Sequence, residues 1–243
     1  MKKIKYDDVV SDEHIKDAYN IIRKNTEHRE KLLKYELFFL SNILTIEIVL
    51  KQKTYHHDNY NIFLVHEPKY RIIMSEKLPD KIVNHLISKY VLQPVILPLM
   101  ISSNVATRKE KGTQAAINYF KFYVNKLKQK YNKMYVLKCD ISKYFYSIDH
   151  EILFKKICNL VSDIDLQNII KDIIWSTNKE DINLKIDKVV KKEIARLKKN
   201  KNIDKNRVEE LKKIPRYKKG KGLPIGYRNY NIMQTVIMKL CFL

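Results

Sequence analysis

Asp140 is the residue of this sequence with the clearest capacity for chemistry. It ends a short apolar segment, residues 134–140, and a helical pattern begins again near Ser147. The order of strand, carboxylate and helix presents an acidic side chain on a rigid element. Hard cations such as Mg²⁺ bind carboxylates held in this way, and they stabilise the negative charge that develops during phosphoryl transfer. Asp140 is therefore a candidate metal ligand. The competing interpretation is an aspartate that caps a turn after a strand.

Two basic residues beside a predicted turn, Lys69 and Arg71, suit contacts with phosphate. Arginine offers a planar fork that matches phosphate oxygens, whereas lysine acts as a point charge. Both fit a lid that closes over a phosphorylated ligand. The competing interpretation is that they are two more cations on the exposed face of a hairpin.

A loop with glycine at both ends and proline between them, Gly222-Leu-Pro-Ile-Gly226, follows much later in the chain. Glycine permits close approach of another backbone or a base, and proline stiffens the turn. The combination suits a rigid platform beneath a base. A surface turn between two helices is the alternative.

Three segments occur in a fixed order: Lys69-Tyr-Arg71-Ile-Ile, Val136-Leu-Lys-Cys-Asp140-Ile-Ser-Lys-Tyr-Phe145-Tyr-Ser-Ile-Asp149-His150 and Lys221-Gly-Leu-Pro-Ile-Gly226. Together they resemble successive blocks of the bacterial reverse transcriptases, the group of retron, group II intron, diversity-generating and abortive-infection enzymes. The similarity extends from about residue 15 to residue 226. It implies RNA-directed DNA synthesis from an RNA template, a DNA primer and dNTPs, with two Mg²⁺ ions in the complete enzyme.

The resemblance also assigns roles to individual residues. Asp140 would bind both metal ions, with help from the backbone carbonyl of Ile141. Phe145 would lie beneath the sugar of the incoming nucleotide and exclude a 2′-hydroxyl, whereas without the motif it and its neighbour would be ordinary core aromatics. Lys69 and Arg71 would reach the triphosphate. The other implied contacts are Pro224 and Gly226 with the nucleotide, and Arg108, Lys111, Gly112 and Gly222 with the template.

The sequence departs from the family after the Gly-Pro-Gly loop. No Asp or Glu follows Gly226, so the Tyr-x-Asp-Asp block of the family is missing. Tyr6-Asp7-Asp8 lacks the intervening residue and precedes every other block, and we interpret it as an exposed acid pair. We interpret His56-His57-Asp58 as a surface loop. One acidic ligand does not hold two metal ions, so we expect a truncated enzyme whose 243 residues are inactive alone, with an exposed apolar end.

Hydrophobic periodicity predicts the elements that must position these residues. Two helices are predicted before Gln52, with inward positions at Ile15, Ala18, Ile21 and Ile22, and then at Leu32, Leu33, Leu37, Leu40 and Leu44. Short segments rich in β-branched and aromatic residues, 61–66 and 70–75, predict a hairpin. A helix is predicted from about Pro79 to the Gln93-Pro94 pair.

Further helices are predicted on both sides of the 134–140 strand. One opens at Thr113 as its N-cap and buries Ala116, Phe120, Val124 and Leu127. One follows Asp149 and buries Ile152, Leu153, Ile157, Leu160 and Val161. Residues 185–221 contain 16 basic and 5 acidic residues at helical spacing, which predicts an amphipathic basic helical pair.

The expected fold is α+β, with the fingers and an incomplete palm of a right-hand polymerase. We divide the chain into a helical lead at 1–52, a fingers region at 53–133 and a partial palm at 134–243 that carries a basic helical insertion at about 178–221. The absence of a signal peptide, of a long apolar run and of a disulfide pattern among three cysteines predicts a cytoplasmic protein with no membrane partner.

The formal net charge of +21 draws polyanions, and nucleic acid is the first partner to consider. Lysine outnumbers arginine heavily, so an AT-rich genome is the competing explanation of the charge. A second functional hypothesis follows from the same basic stretch. The chain would then be a non-catalytic nucleic-acid-binding protein, either a decayed polymerase or a phage-defence component, and its binding would weaken steeply with salt.

Overall fold

The computed structural model describes residues 4–26, 29–66, 68–105, 111–199 and 205–226. Over these residues the protein has an α+β fold, rich in helix, with one two-stranded antiparallel sheet. Its helices are α1 (Tyr6–Val9), α2 (Asp12–Asn25), α3 (Arg29–Glu36), α4 (Phe39–Lys51), α5 (Leu78–Ile87), α6 (Gln93–Ile96), α7 (Thr113–Lys128), α8 (Tyr144–Ser147), α9 (His150–Cys158), α10 (Ile164–Trp175), α11 (Asp181–Lys198) and α12 (Lys205–Lys212).

Two hydrophobic clusters form the core. The larger one gathers buried side chains from all three predicted regions, among them Leu50, Leu86 and Leu153. The smaller one joins the hairpin to α11 and α12. Leu223 belongs to the first cluster and Tyr217 to the second, so the 222–226 loop lies where the two clusters meet. The boundaries of the predicted regions stay a prediction.

Helix α2 confirms the first predicted helix. The Ser11 side chain caps its start by accepting a hydrogen bond from the backbone N–H of His14 at 3.2 Å. Ile15, Ala18 and Ile22 are buried, as their spacing predicts, and α2 packs against α5.

The second predicted helix is two helices, and the buried face assigned to it is wrong. A break at Leu37 and Phe38 separates α3 from α4. Leu32 is buried, but the other predicted inward positions are exposed: Leu33, Leu37, Leu40 and Leu44. Helix α4 instead buries Ile43, Ile46 and Leu50. Because α4 has apolar residues of its own on several sides, periodicity alone does not determine which side is buried.

The predicted hairpin is confirmed. Strands β1 (Asn61–His66) and β2 (Tyr70–Ser75) pair antiparallel with Asn61 opposite Ser75 and His66 opposite Tyr70. One face of β2 is covered, since Ile72 and Met74 are buried in the smaller cluster. The rigid ladder fixes the position of Arg71, which lies opposite Val65.

The helix predicted to end near Gln93-Pro94 continues past that point. Helix α5 passes through a π-helical turn, Ser88–Leu92, into α6 and a 3-10 turn, Leu97–Leu99. Pro94 lies in the first turn of α6, directly after the π-helical turn, so the helical run passes through this proline. By length and composition the run Leu78–Leu99 also passes as a membrane span, but 61% of its most apolar window is buried inside the protein. Mostly buried core helices meet the same criterion.

The segment before Asp140 is not the predicted strand. Residues 131–141 form no helix or strand, and Tyr135, Val136 and Leu137 are 93%, 73% and 87% exposed. A strand needs a neighbour to pair its backbone groups, and no partner strand lies beside this segment in the part of the chain that the structure describes.

Helix α7 begins where it is predicted, but two details of the prediction are wrong. Gly112, not Thr113, occupies the N-cap position, and no side-chain hydrogen bond caps the helix. None of its residues is buried, and Phe120 and Leu127 are 56% and 44% exposed. No described helix or strand packs closely against α7, so among the described residues its apolar stripe stays partly exposed.

The C-terminal helices mostly follow the sequence pattern. Asp149 caps α9 through hydrogen bonds from the N–H groups of Glu151 and Ile152. Leu153, Ile157 and Val161 are buried as predicted, whereas Ile152 is 62% exposed. The predicted basic helical pair is confirmed as α11 and α12, which bury Ile186 and other apolar residues against the hairpin.

Candidate functional site

The 222–226 loop is bonded to the segment that follows Phe145. The N–H of Leu223 donates to the carbonyl of Phe145 at 2.7 Å, and the N–H of Gly222 donates to the carbonyl of Ile148 at 2.7 Å. Asp149 and Lys221 form an isolated β-bridge just beside these bonds. The second and third sequence blocks therefore form one backbone unit.

Two buried side chains fix the carbonyl of Gly222. The Oγ1 hydroxyl of Thr177 donates to it at 2.7 Å, and Nε2 of His150 lies 2.7 Å from it. Burial lowers the pKa of His150, which favours a neutral imidazole whose Nε2–H donates to the carbonyl. Two groups that water does not reach thus hold the loop at the Gly222 carbonyl.

The loop also reaches the hairpin. The N–H of Met74, on β2, donates to the carbonyl of Ile225 at 2.8 Å. The Tyr217 hydroxyl donates to the carbonyl of Leu223 at 3.1 Å, and the Tyr217 ring lies 4.8 Å from that of Tyr146. The second and third blocks consequently meet through backbone hydrogen bonds, and Met74, the residue that follows the first block on β2, joins that strand to the loop.

The hairpin tip is held by the basic helical pair. The N–H of Tyr70 donates to the Glu210 carboxylate at 2.9 Å, and its hydroxyl donates to Glu193 at 3.2 Å. Lys69 and Arg71, on either side of Tyr70, have exposed side chains. The two cations are therefore presented to solvent from a braced tip, which is compatible both with phosphate contacts and with a solvated face.

Asp140 is exposed, and its carboxylate is close to its own backbone. Its Oδ1 atom accepts the N–H of Ile141 at 3.0 Å. Among the residues that the structure describes, no ion pair joins Asp140 to Lys69 or Arg71. Its rigidity was expected from a strand that the structure does not contain. The local geometry alone matches the turn-capping interpretation as well as the metal-ligand one.

The remaining predicted site residues lie in different surroundings. Phe145 is half-buried, with its ring centroid 5.7 Å from that of Tyr144. Pro224 is buried and Gly226 is partly buried in the loop. Lys111 donates to the carbonyl of Ser102 at 3.2 Å and lies 5.7 Å from the Tyr119 ring centroid. Arg108 and residues 227–243, which contain the predicted apolar end, lie outside the described residues.

A resident Mg²⁺ site does not fit the described residues as a set. Over the described ranges no group of three or more His, Cys, Asp or Glu side chains is arranged to hold a metal ion. Asp140 offers one carboxylate, and a magnesium ion held by one carboxylate needs its other ligands from water and substrate phosphates. Asp140 is thus a possible single ligand to a metal that arrives with a nucleotide.

A row of buried polar residues extends from just before α5 to just after it, and the sequence pattern does not predict it. Glu76, Asp80, Asn84 and Ser88 recur every four residues and are all buried. The Tyr55 hydroxyl donates to Oδ1 of Asp80 at 2.9 Å. The spacing of four is visible in the sequence, but polar residues at this spacing usually indicate an exposed helix face, so the spacing does not report that the row is buried.

The His56-His57-Asp58 segment is a loop, as predicted. His56 and Asp58 are exposed, but His57 is only 3% exposed. Its Nδ1 atom lies 2.7 Å from the Asp58 carbonyl, and its backbone N–H donates to Asp172. The triplet is thus a loop at the surface, as predicted, and its central residue is folded inward.

Glu76 makes the stability of this region depend on pH. Burial, with the nearby Asp80 carboxylate, raises the pKa of Glu76 from 4.5 to about 7, against opposing effects of Asn84 and Lys81. A carboxyl whose folded-state pKa is raised stabilises the fold below its unfolded pKa, and this contribution is lost as pH rises through the folded value.

Glu76→Gln removes this titration. As pH rises from 5 to 8, we therefore expect the free energy of unfolding of wild type to fall by about 2 to 3 kcal/mol relative to that of Glu76→Gln. Urea denaturation at both pH values measures the difference. The control Glu209→Gln removes an exposed carboxylate whose pKa Lys212 lowers, so it should show no such difference. Identical pH profiles of wild type and Glu76→Gln would contradict the assignment.

The structure thus joins the hairpin, the Phe145–His150 segment and the Gly-Pro-Gly loop, and leaves Asp140 on an exposed segment beside them in sequence. Comparison of the chain with protein-family models and with curated proteins gives no match. The relation to reverse transcriptases therefore depends on the residues of the three blocks.

Proposed function

We propose that this chain is the part of an RNA-directed DNA polymerase that holds the primer–template and the incoming dNTP. The observation that carries the proposal is the set of backbone hydrogen bonds joining Gly222, Leu223 and Ile225 to the Phe145–Ile148 segment and to Met74. In the polymerase interpretation these same segments must surround one nascent base pair. A surface turn between helices has no need of such bonds.

In this proposal each block has a separate task. The loop backbone, fixed by His150 and Thr177, forms the platform beneath the new base pair. Lys69 and Arg71 on the braced hairpin tip contact the triphosphate. Phe145 lies beneath the sugar, and Asp140 contributes one carboxylate to the metal that accompanies the nucleotide. No catalytic step is assigned to Asp140, because the described residues do not complete a two-metal site.

The test compares an RNA–DNA primer–template with a recessed 3′ end and a blunt duplex of equal length. A site that surrounds a templating base should bind the recessed substrate about tenfold more tightly, because the blunt duplex has no unpaired template base to contact. Fluorescence anisotropy at fixed salt measures both affinities. Equal affinities would contradict the proposal.

With the complementary dNTP and Mg²⁺ added to both duplexes, Arg71→Ala should reduce the preference for the recessed end, since Arg71 contacts the triphosphate in this proposal. Arg23→Ala is the matched control, because Arg23 is also exposed but pairs with Glu36 on a different part of the protein. The control should keep the preference. An equal loss in both variants would show that net charge, not the hairpin, sets the affinity.

A second candidate function is non-catalytic binding of nucleic acid through the basic helical pair. The observation that favours it is that α11 and α12 each bury apolar residues in the smaller cluster, so the backbone that carries their cations is held in place. This function predicts strong, salt-dependent binding with no preference for the recessed end. The same experiment therefore separates the two functions.

A further inference from the structure

The outward face of α11 carries a row of five lysines. Lys188, Lys191, Lys192, Lys198 and Lys199 are all exposed. They recur at intervals of three, four and seven residues, and this spacing places them along one side of a helix. The opposite side is buried, with Ile182, Ile186, Val190 and Leu197 packed against the hairpin and α12. The lysine row therefore has a fixed position on the protein.

The carboxylates of α11 do not neutralise this row. Asp181 pairs with Lys185 at 2.5 Å, Asp187 with Arg216 at 2.7 Å and Glu193 with Arg196 at 2.7 Å. None of the five lysines takes part in an ion pair with another residue that the structure describes. The acidic residues of the helix thus already have partners, and the row keeps its full positive charge.

The chemistry of the row selects the kind of ligand. From Lys188 to Lys199 the helix rises about 16 Å, which spans several phosphates of a nucleic-acid backbone. Lysine is a point charge and does not read base edges with a planar fork. Helix α11 contains no aromatic residue on which an unstacked base could lie, although single-strand binding relies on such stacking. A duplex carries more phosphate charge per unit length than a single strand.

We propose that the lysine row of α11 binds the phosphate backbone of double-stranded nucleic acid without regard to its sequence. This proposal rests on the proposed function and adds the element that binds the part of the duplex lying beyond the hairpin and loop. The row would contact phosphates of the duplex upstream of the primer 3′ end.

The variant Lys188→Gln/Lys191→Gln/Lys192→Gln tests this proposal. Lys198 and Lys199 are left in place because cations at the C-terminal end also stabilise a helix. Each lost phosphate contact lowers the slope of log affinity against log salt by about 0.9. We expect the slope for a blunt RNA–DNA duplex to fall by about 2 to 3. At about 0.1 M salt the affinity should fall on the order of 100-fold.

The matched control is Lys16→Gln/Lys51→Gln/Lys77→Gln, which removes the same charge from lysines that are paired with Asp12, Glu47 and Asp58. It should change the affinity less than about threefold. Equal losses in both variants would overturn the proposal, as would a wild-type protein that does not bind the duplex.

Two further arms identify the ligand. Binding of a single-stranded RNA, or of vesicles containing anionic lipid, should depend much less on the three lysines than duplex binding does. A larger loss with either probe would assign the row to that ligand and overturn the duplex proposal. The preference for a recessed end should survive in the triple variant, because the hairpin and loop are unchanged. A failure of the lysine-row proposal can therefore be told apart from a failure of the proposed function.

Discussion

Gly222→Ala is expected to lower the free energy of unfolding by about 2 to 5 kcal/mol. Gly222 has a φ of +92°, a conformation that costs an L-residue backbone strain. A Cβ atom at this position would lie 2.7 Å from Cδ1 of Tyr217 and 3.2 Å from the carbonyl oxygen of Phe145. The Tyr217 ring has little freedom to move away, because it is buried and its hydroxyl is bonded to Leu223.

Two glycine controls separate strain from overlap. Gly220 has a φ of +72° but open space around its Cβ position, so Gly220→Ala should cost about 1 kcal/mol from strain alone. Gly112 has a negative φ and open space, so Gly112→Ala should cost less than about 1 kcal/mol from a poorer N-cap. Chemical denaturation of the three variants measures the order. Equal costs for Gly222→Ala and Gly220→Ala would show that Tyr217 does not pack as described.

The elements that sequence predicts well are those whose signals are local. Helix α2 has its cap and its buried positions within a short segment, and the hairpin has two β-rich strands around a turn. The basic pair is likewise visible, because apolar residues recur at helical spacing between the lysines. In each of these elements the local pattern and the long-range packing favour the same structure.

The errors arise where packing partners decide the result. The segment before Asp140 has the composition of a strand, but pairing depends on a neighbour that its own residues do not specify. Helix α4 is apolar on several sides, so the rest of the protein chooses which side is buried. His57 and the polar row from Glu76 to Ser88 are buried by contacts between distant segments, and no local pattern reports such contacts.

The candidate site shows the same division. The three blocks are recognised from residue types and order, and hydrogen bonds at Gly222, Leu223 and Ile225 join the third block to the second and to Met74, which follows the first block on β2. The residues that fix the loop, His150 and Thr177, were not selected as site residues. Their role depends on a carbonyl that lies far away in sequence. Side chains that support a site in this way have no motif of their own.

The proposed templating site is tested most directly by asking whether the chain selects the nucleotide that pairs with the template base. We expect a complementary dNTP, with Mg²⁺ present, to slow dissociation of a dideoxy-terminated primer–template by about tenfold, because the nucleotide bridges template and protein. The complementary ribonucleotide should have a much smaller effect, since in the proposed site Phe145 excludes the 2′-hydroxyl. Phe145→Val should narrow this difference, whereas Phe122→Val, at an exposed position of α7, should not.

Stopped-flow measurement of dissociation with each of the four dNTPs provides the result. For each template base in turn, we expect slow dissociation of the primer–template only with the nucleotide that pairs with that base. Equal dissociation rates with all four nucleotides would contradict the claim that the hairpin, the Phe145 segment and the Gly-Pro-Gly loop form one templating site.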